Sequence, residues 1–385
     1  MKNLYSMDYF DAVETEKAHD GYIYNVSDVI KIIILGSLCG LKTPKQIHEW
    51  AVDDRVSEFL REKFAIKRVP CYYWMLCLLE IVKPESLNDC FVRWVSGFMP
   101  EYHEGEGNQE RRELTVSLDG KTVCSTGKMK KNKGRALHIV SAQLAELGLT
   151  FGQKAVDGKS NEIPAVRALL SELDVRGCLV VADALNCQTE TAQQILDGKG
   201  DYLLCAKDNQ EKTKEAVKDC IESKENENKM DTACTQEKNH GRGEKRTAYT
   251  IPYAVLNIDG ILNQKWPEIA CIGAIHREFE INGQKSDEWH YYISSRILTA
   301  NELLHHARME WTVETMHWFL DVHFDEDKCR VEDNNIQRNL NMLRKASLNL
   351  IKMFKQSTKS RQPISGIMFG CLLNPYRLEK VISGN

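Results

Sequence analysis

The sequence predicts an α/β fold, a mixed sheet flanked by helices, and three observations carry that expectation. Strand-like and helix-like patterns follow one another between residues 114 and 210 in the order β-β-β-α-β-α-β. Within that unit, CLVVAD (178–183) and the DYLLCA start of DYLLCAKDNQ (201–210) are continuous apolar runs, as expected of strands covered on both faces. Helical spacing dominates on either side, up to about residue 112 and again from Thr299 to about Lys359.

Taken in order, VIKIIILGSLCGL (29–41) is the longest apolar run. Lys31 interrupts it and it is too short to span a bilayer, so it is read as a core helix with Ser27 or Asp28 as its N-cap. TPKQIHEWAVDDRVSEFLREKF (43–64) continues with helical spacing, and RVPCYYWMLCLLEIVK (68–83) occupies the place of a recognition helix, its aromatics read as core. EYHEGEGNQERRE (101–113) reads as a linker.

LTVSLDG (114–120) then alternates as a strand, and ALHIVSAQLAELGLTFGQKAV (136–156) as two strands turning at Glu146-Leu147-Gly148. SNEIPAVRALLSELD (160–174) is a helix capped by Ser160 or Asn161 with Pro164 in its first turn, and TETAQQILDGKG (189–200) a short helix closed by glycine. Residues 211–246 are too polar to hold a core alone and read as loop or solvated helix; strands return in EIACIGAIHREF (268–279) and EWHYYISS (288–295). Four regions follow: a helical domain at 1–112, the first part of a core at 113–210, an insertion at 211–298, and closing helices at 299–385.

Composition narrows the function. Of 385 residues, 42% are hydrophobic and 28% charged, which describes an ordinary soluble globular protein. The net charge of −4 excludes a uniformly basic surface, so any nucleic-acid contact must be local. Thirteen cysteines form no CxxC, and HExxH is absent; the adjacent His305 and His306 are expected to point to different helix faces. A reducing cytoplasm fits, and a zinc site or disulfide framework does not. The start, MKNLYSMDYFDAVE, lacks the pattern of a signal peptide, and no membrane association is expected.

The chemistry lies at strand tips. Asp119 closes the first strand of the unit and Asp183 the fourth. If those strands lie side by side and parallel, both carboxylates meet beyond the sheet edge, where ligands of such sheets bind. Two facing carboxylates repel unless a cation sits between them, and all-oxygen ligation favours Mg²⁺ or Mn²⁺. The plainer alternative is that each aspartate caps a turn. A third acid belongs to EWTVETMHWFLDVHFDED (310–327), where Glu310, Glu314 and Asp321 share one stripe with His317 beside them; spacing alone does not choose among them.

LDGKTVCSTG, VDGKSNEIPAVRALL, VVADALNCQ, GDYLLCAKDNQ, HGRGEKR and EWTVETMHWFLDVHFDEDKCRVEDNNIQRNLNMLRKASLNLIK resemble, in order from about Leu114 to Lys352, the DDE transposases of the H-repeat-associated group of bacterial insertion sequences. The resemblance implies a ribonuclease-H-like core, with Asp119, Asp183 and Glu314 as the catalytic and metal-binding acids and residues 211–298 as the insertion before the last catalytic helix. It implies metal-dependent phosphodiester hydrolysis and strand transfer, with two Mg²⁺ or Mn²⁺ ions. The partners it implies are the element's terminal repeats and target DNA, bound by a homodimer. A structure-specific nuclease on the same core and an inactive DNA-binding relic are the rival readings; a carboxylate-pair hydrolase of sugars is a distant third. Related transposases carry a lysine where Asp321 stands, so Arg308 or Lys328 is the candidate substitute.

Candidate DNA contacts are basic residues around the acids. Lys121, Lys128, Lys130, Lys131, Lys133 and Arg135 follow the first acid, Lys159 precedes the SNEI block, Lys207 and Asn209 stand at the tip of the fifth strand, and Arg308, Lys328 and Arg330 flank the third acid. Nine Lys and Arg between Lys328 and Arg361 suggest a salt-sensitive DNA face. Trp266 and Trp289 are candidate stacking residues, with packing the stronger reading.

Overall fold

A computed structural model describes residues 7–17, 23–102, 112–123, 126, 136–156, 162–239, 242–256, 261–281 and 284–384. Five helices come first: α1 (Val26–Leu38), α2 (Pro44–Ala51), α3 (Asp54–Phe64), α4 (Tyr72–Ile81) and α5 (Pro84–Ser96). The apolar run forms α1, in which Ile30, Ile32, Ile33, Ile34 and Leu35 are fully buried, as a helix apolar all round must be. Its cap is Asn25, which accepts from the Ser27 N–H; the Ser27 hydroxyl instead donates to Asp11, and Asp28 lies in the first turn. Lys31 is tolerated because Asp11 sits 2.9 Å away. Tyr72, Tyr73 and Trp74, expected in the core, are exposed: α4 buries Met75, Leu78 and Leu79 on its opposite stripe.

The α/β unit follows as β1 (Thr115–Val123), β2 (Leu137–Leu144), β3 (Leu149–Ala155), α6 (Glu162–Glu172), β4 (Leu179–Ala182), α7 (Thr189–Asp197) and β5 (Asp201–Ala206). The chain continues through α8 (Glu211–Glu222), β6 (Asp231–Asn239), β7 (Arg242–Pro252), α9 (Ile261–Lys265), β8 (Cys271–Ile281) and β9 (Gln284–Ser294). It closes with α10 (Ala300–Met309), α11 (Thr312–Phe324), α12 (Asn334–Ser357), α13 (Ile364–Leu373) and α14 (Pro375–Ser383).

All nine strands form one mixed sheet in the order β3-β2-β1-β4-β5-β9-β8-β7-β6. The first five give the expected ribonuclease-H-like half, with β1 parallel to β4 and β4 to β5. The insertion extends the sheet, since β9 pairs antiparallel with β5 from Leu203↔Ser294 to Ala206↔Tyr291. Residues 211–246 are more ordered than their polarity suggests. Thr213, Val217, Cys220 and Ile221 form the buried stripe of α8, and β6–β7 is a hairpin held by β8.

Side chains of β4 alternate between two cores. Val180 and Ala182 join the large core shared with the N-terminal helices and α12, while Leu179 and Val181 face a second core under α10. The continuous apolar run of CLVVAD reflects this burial on both sides. Among the described residues, no helix is long and apolar enough to cross a membrane.

Candidate active site

Asp119 does not end its strand: β1 runs four residues further, to Val123, paired with β2. What ends at Leu118↔Ala182 is the pairing of β1 with β4. The two parallel strands part at the positions of Asp119 and Asp183, and the crevice between them holds the carboxylates. Asp183 caps the short turn Ala184–Asn186, and Asn186 donates to its Oδ1 from the backbone N–H (3.3 Å) and from Nδ2 (2.8 Å). The capping role expected as the plainer alternative is thus real, but it engages one oxygen and leaves the negative charge in place. Asn209 donates to the Ala184 carbonyl at 2.6 Å and pins that turn to the tip of β5.

The first turn of α11 brings Glu314 to the same crevice. Burial pushes the Asp119 carboxyl up to about 6, opposed by the Gly120 N–H and reinforced by the charges of Glu162, Asp183 and Glu314. Glu310, between α10 and α11, is pushed up to about 7 by burial and by Asp183, Glu314 and Asp119, with Lys207 opposing. Acids from residues 119, 162, 183, 310 and 314 therefore bear on one another. His317 packs under them: it is 8% exposed, its Nε2 lies 3.6 Å from Asp119 Oδ2, and neither ring nitrogen has a hydrogen-bond partner. Burial and the nearby Lys345, Lys121 and His138 hold its pKa well below the usual range, so the imidazole is neutral.

Carboxylates are the donors a hard divalent cation takes, although among the described residues the group whose ligand atoms lie within 4.8 Å of one another is Glu146, His305 and His306. Converging carboxylates with little opposing charge are costly when empty, and a bound cation reverses the sign of their interaction.

The basic candidates divide. Lys121 is turned inward, 2.5 Å from Asp321 and 3.0 Å from Glu326, so it is a strut between β1 and α11. Arg308 and Lys328, the candidate substitutes for the lysine that Asp321 replaces, are engaged elsewhere: Arg308 forks onto Glu237, and Lys328 lies 3.6 Å from Asp325. Lys207 lines a cavity of about 90 Å³ together with Arg246, Arg277, Glu310 and Trp311. Arg330 is exposed. Lys128, Lys130, Lys131, Lys133, Arg135 and Lys159 lie outside the described residues. Three of the five α12 cations turn inward: Arg344 donates to the Lys42 carbonyl, Lys345 to Ser141 and Gln153, and Lys352 to the Gly148 carbonyl. Trp266 is buried with its N–H on Thr213, and Trp289 stacks between His276 and Tyr249.

His305 and His306 do not diverge as expected: with Glu146 they offer ligand atoms within 4.8 Å of one another. That group sits by Thr115, four residues before Asp119 on β1, and is separate from the acidic crevice. Spacing also gave no sign of Glu162 or of the Lys121 strut, because both arise from tertiary contacts.

Known proteins match most of the chain in sequence. The family model described as "Transposase DDE domain" matches residues 110–350, and one described as "DDE_Tnp_1-associated" matches 7–95. The chain is 28% identical over 346 residues to "H repeat-associated putative transposase YhhI" of Escherichia coli (strain K12), covering 88% of each chain. It is 28% identical over 349 residues to "Putative transposase YncI" of Escherichia coli O157:H7, covering 90% of this chain and 87% of that one. A solved piggyBac transposase synaptic complex with hairpin DNA aligns with 94% of this chain and 75% of its own, at 12% identity and a TM-score of 0.40. The chain belongs to the transposase DDE domain family, and is accordingly a metal-dependent enzyme that acts on DNA.

Proposed function

We propose that Asp119, Asp183 and Glu314 are the catalytic acids of this transposase, holding Mg²⁺ or Mn²⁺ while phosphodiester bonds are hydrolysed and joined at the ends of its own element. One observation supports the reading above others: acids far apart in sequence bear on Asp119 in the crevice where β1 and β4 part. When bound, the divalent ions would activate a water or a DNA 3′-hydroxyl and steady the leaving oxygen.

The chain's own residues prepare the site. The Asn186 bonds fix Asp183, and Asn209 holds the turn that carries it. Neutral His317 fills the space beneath Asp119 without adding a cation that would compete with the metal. Lys121 and Asp321 lock the α11 register so that Glu314 stays over the crevice.

DNA contacts fall to Lys207, Arg330, Lys159 and the lysine-rich stretch from Lys128 to Arg135. The N-terminal helices, residues 1–112, recognise terminal repeats; the exposed Tyr72, Tyr73 and Trp74 support this assignment. Synapsis of two ends is carried out by a homodimer.

The test is Asp183→Asn. Asparagine keeps an acceptor for the Asn186 cap and removes the charge, so the fold should survive. Strand cleavage of DNA carrying the element's ends should fall at least about 1,000-fold, on the order of 4 kcal/mol of transition-state stabilisation. DNA affinity should change little. Undiminished cleavage would refute the assignment, and cleavage without joining by the unaltered chain would favour the nuclease reading.

A further inference from the structure

Glu162 opens α6, in the SNEI block that the three-acid reading leaves without a role. It does not point into solvent. Its carboxylate fills the space beside Gly120, where an added Cβ would overlap it. Gly120 follows Asp119 on β1, so Glu162 meets the strand one residue along from Asp119.

A relay holds it there. His138 Nε2 lies 2.6 Å from Glu162 Oε1, and His138 Nδ1 lies 2.7 Å from Thr122 Oγ1. Thr122 and His138 are directly opposite each other on β1 and β2. One proton arrangement satisfies both contacts with a neutral ring: the Thr122 hydroxyl donates to Nδ1, and Nε2–H donates to the carboxylate. Bonds of this kind orient a metal-binding group and fix its tautomer.

We infer that Glu162 is a fourth ligand for a divalent cation at the acidic crevice, with His138 and Thr122 as its positioning residues. The inference rests on the proposed site of Asp119, Asp183 and Glu314. Two further observations point to a ligand there. The His317 side chain, nine-tenths buried and unpaired, abuts Asp119 from below. Lys121, the lysine two residues along from Asp119, is bound to Asp321 and Glu326 and not to the crevice acids. A carboxylate held beside an acid-bearing strand by a dedicated relay works against folding unless a cation joins them.

The test uses the full chain without DNA and reads Mn²⁺ binding by calorimetry. Glu162→Gln should weaken Mn²⁺ binding about tenfold or more, the scale on which even outer partners of metal ligands act. Gly120→Ala removes no charge, but its methyl would displace the Glu162 carboxylate, and it should weaken Mn²⁺ similarly. His138→Gln retains an N–H donor and should stay closer to the unaltered chain than His138→Leu. Circular dichroism and DNA affinity should be unchanged in all four variants. Unaltered Mn²⁺ affinity in Glu162→Gln and Gly120→Ala, with loss in Asp183→Asn, overturns this inference and leaves the three-acid site standing. If Asp183→Asn also binds Mn²⁺ normally, the site reading itself fails. Loss of Mn²⁺ affinity only together with loss of folded structure makes Glu162 a packing residue and overturns the inference too.

Discussion

Lys121 stands two residues after Asp119, where a lysine-rich stretch invites a phosphate-binding role. Its ammonium instead meets Asp321 and the almost fully buried Glu326, which also accepts from Asn341. Lys121→Met keeps most of the aliphatic stem and leaves both carboxylates uncompensated, a loss of about 3 kcal/mol or more for a buried pair. The expected outcome is a clear drop in thermal midpoint with little change in DNA affinity. Adding Asp321→Leu should recover part of the loss. A variant that keeps its stability and loses DNA binding would restore the phosphate role. The same contrast shows what residue types reveal. Asp119 and Asp183 were legible because each follows an apolar strand pattern, and Glu314 through its sequence block. Glu162, His317 and the direction of Lys121 depend on which helix lands over which strand, and no local period encodes that.

Among the elements, α1 and α2 approach closely at Gly36, where an added Cβ would lie 2.6 to 3.1 Å from Ile47 carbons. Alanine is the better helix former by about 1 kcal/mol, whereas overpacking costs about 1–3 kcal/mol. The clash should win, because Ile47 is itself buried and α1 is enclosed. Gly36→Ala should lower the thermal midpoint, and Ile47→Ala, which removes the two overlapping Cγ atoms, should cost less in the Gly36→Ala background than alone; a stabilised single variant would refute the close packing. Elements also differed in how readily they could be read. α1 and β4 announced themselves through unbroken apolar runs. The β6–β7 hairpin did not, because its residues are largely polar and its burial is confined to positions such as Ala248, Thr250 and Ile251, which the rest of the sheet covers. Extension of the sheet by β9 likewise comes from pairing with β5, a long-range contact without a sequence signature.

For the whole molecule, buried titratable groups set the limits of stability against pH. His306, in the large interface between α10 and β1, is lowered to about 4 by burial and by the nearby His305 and Arg296. The unfolded chain takes up that proton near 6.5, so between 6.5 and 4 it binds more protons than the folded chain. The stability contributed by neutral His306 is complete above 6.5 and is lost as pH falls through that window. On the alkaline side two groups oppose. Lys345 and Lys352, lowered to about 8 by burial, add stability as pH rises from 8 towards 10.5. Cys178 and Cys205, pushed up to about 12 by burial, and Cys39 and Cys187, pushed higher still, lose it as pH rises above 9. Four thiols outweigh two ammonium groups, and each is shifted by at least as much. Urea midpoints should therefore fall above about pH 9, while on the acid side the raised carboxyls of Asp119 and Glu310, which add stability as pH falls, oppose His306. His306→Gln should lower the slope of the urea midpoint against pH between 4.5 and 6.5 without altering the alkaline limb. An acid limb of unchanged slope in that variant would show that His306 does not carry the transition, and would shift its origin to His317 beneath the acids.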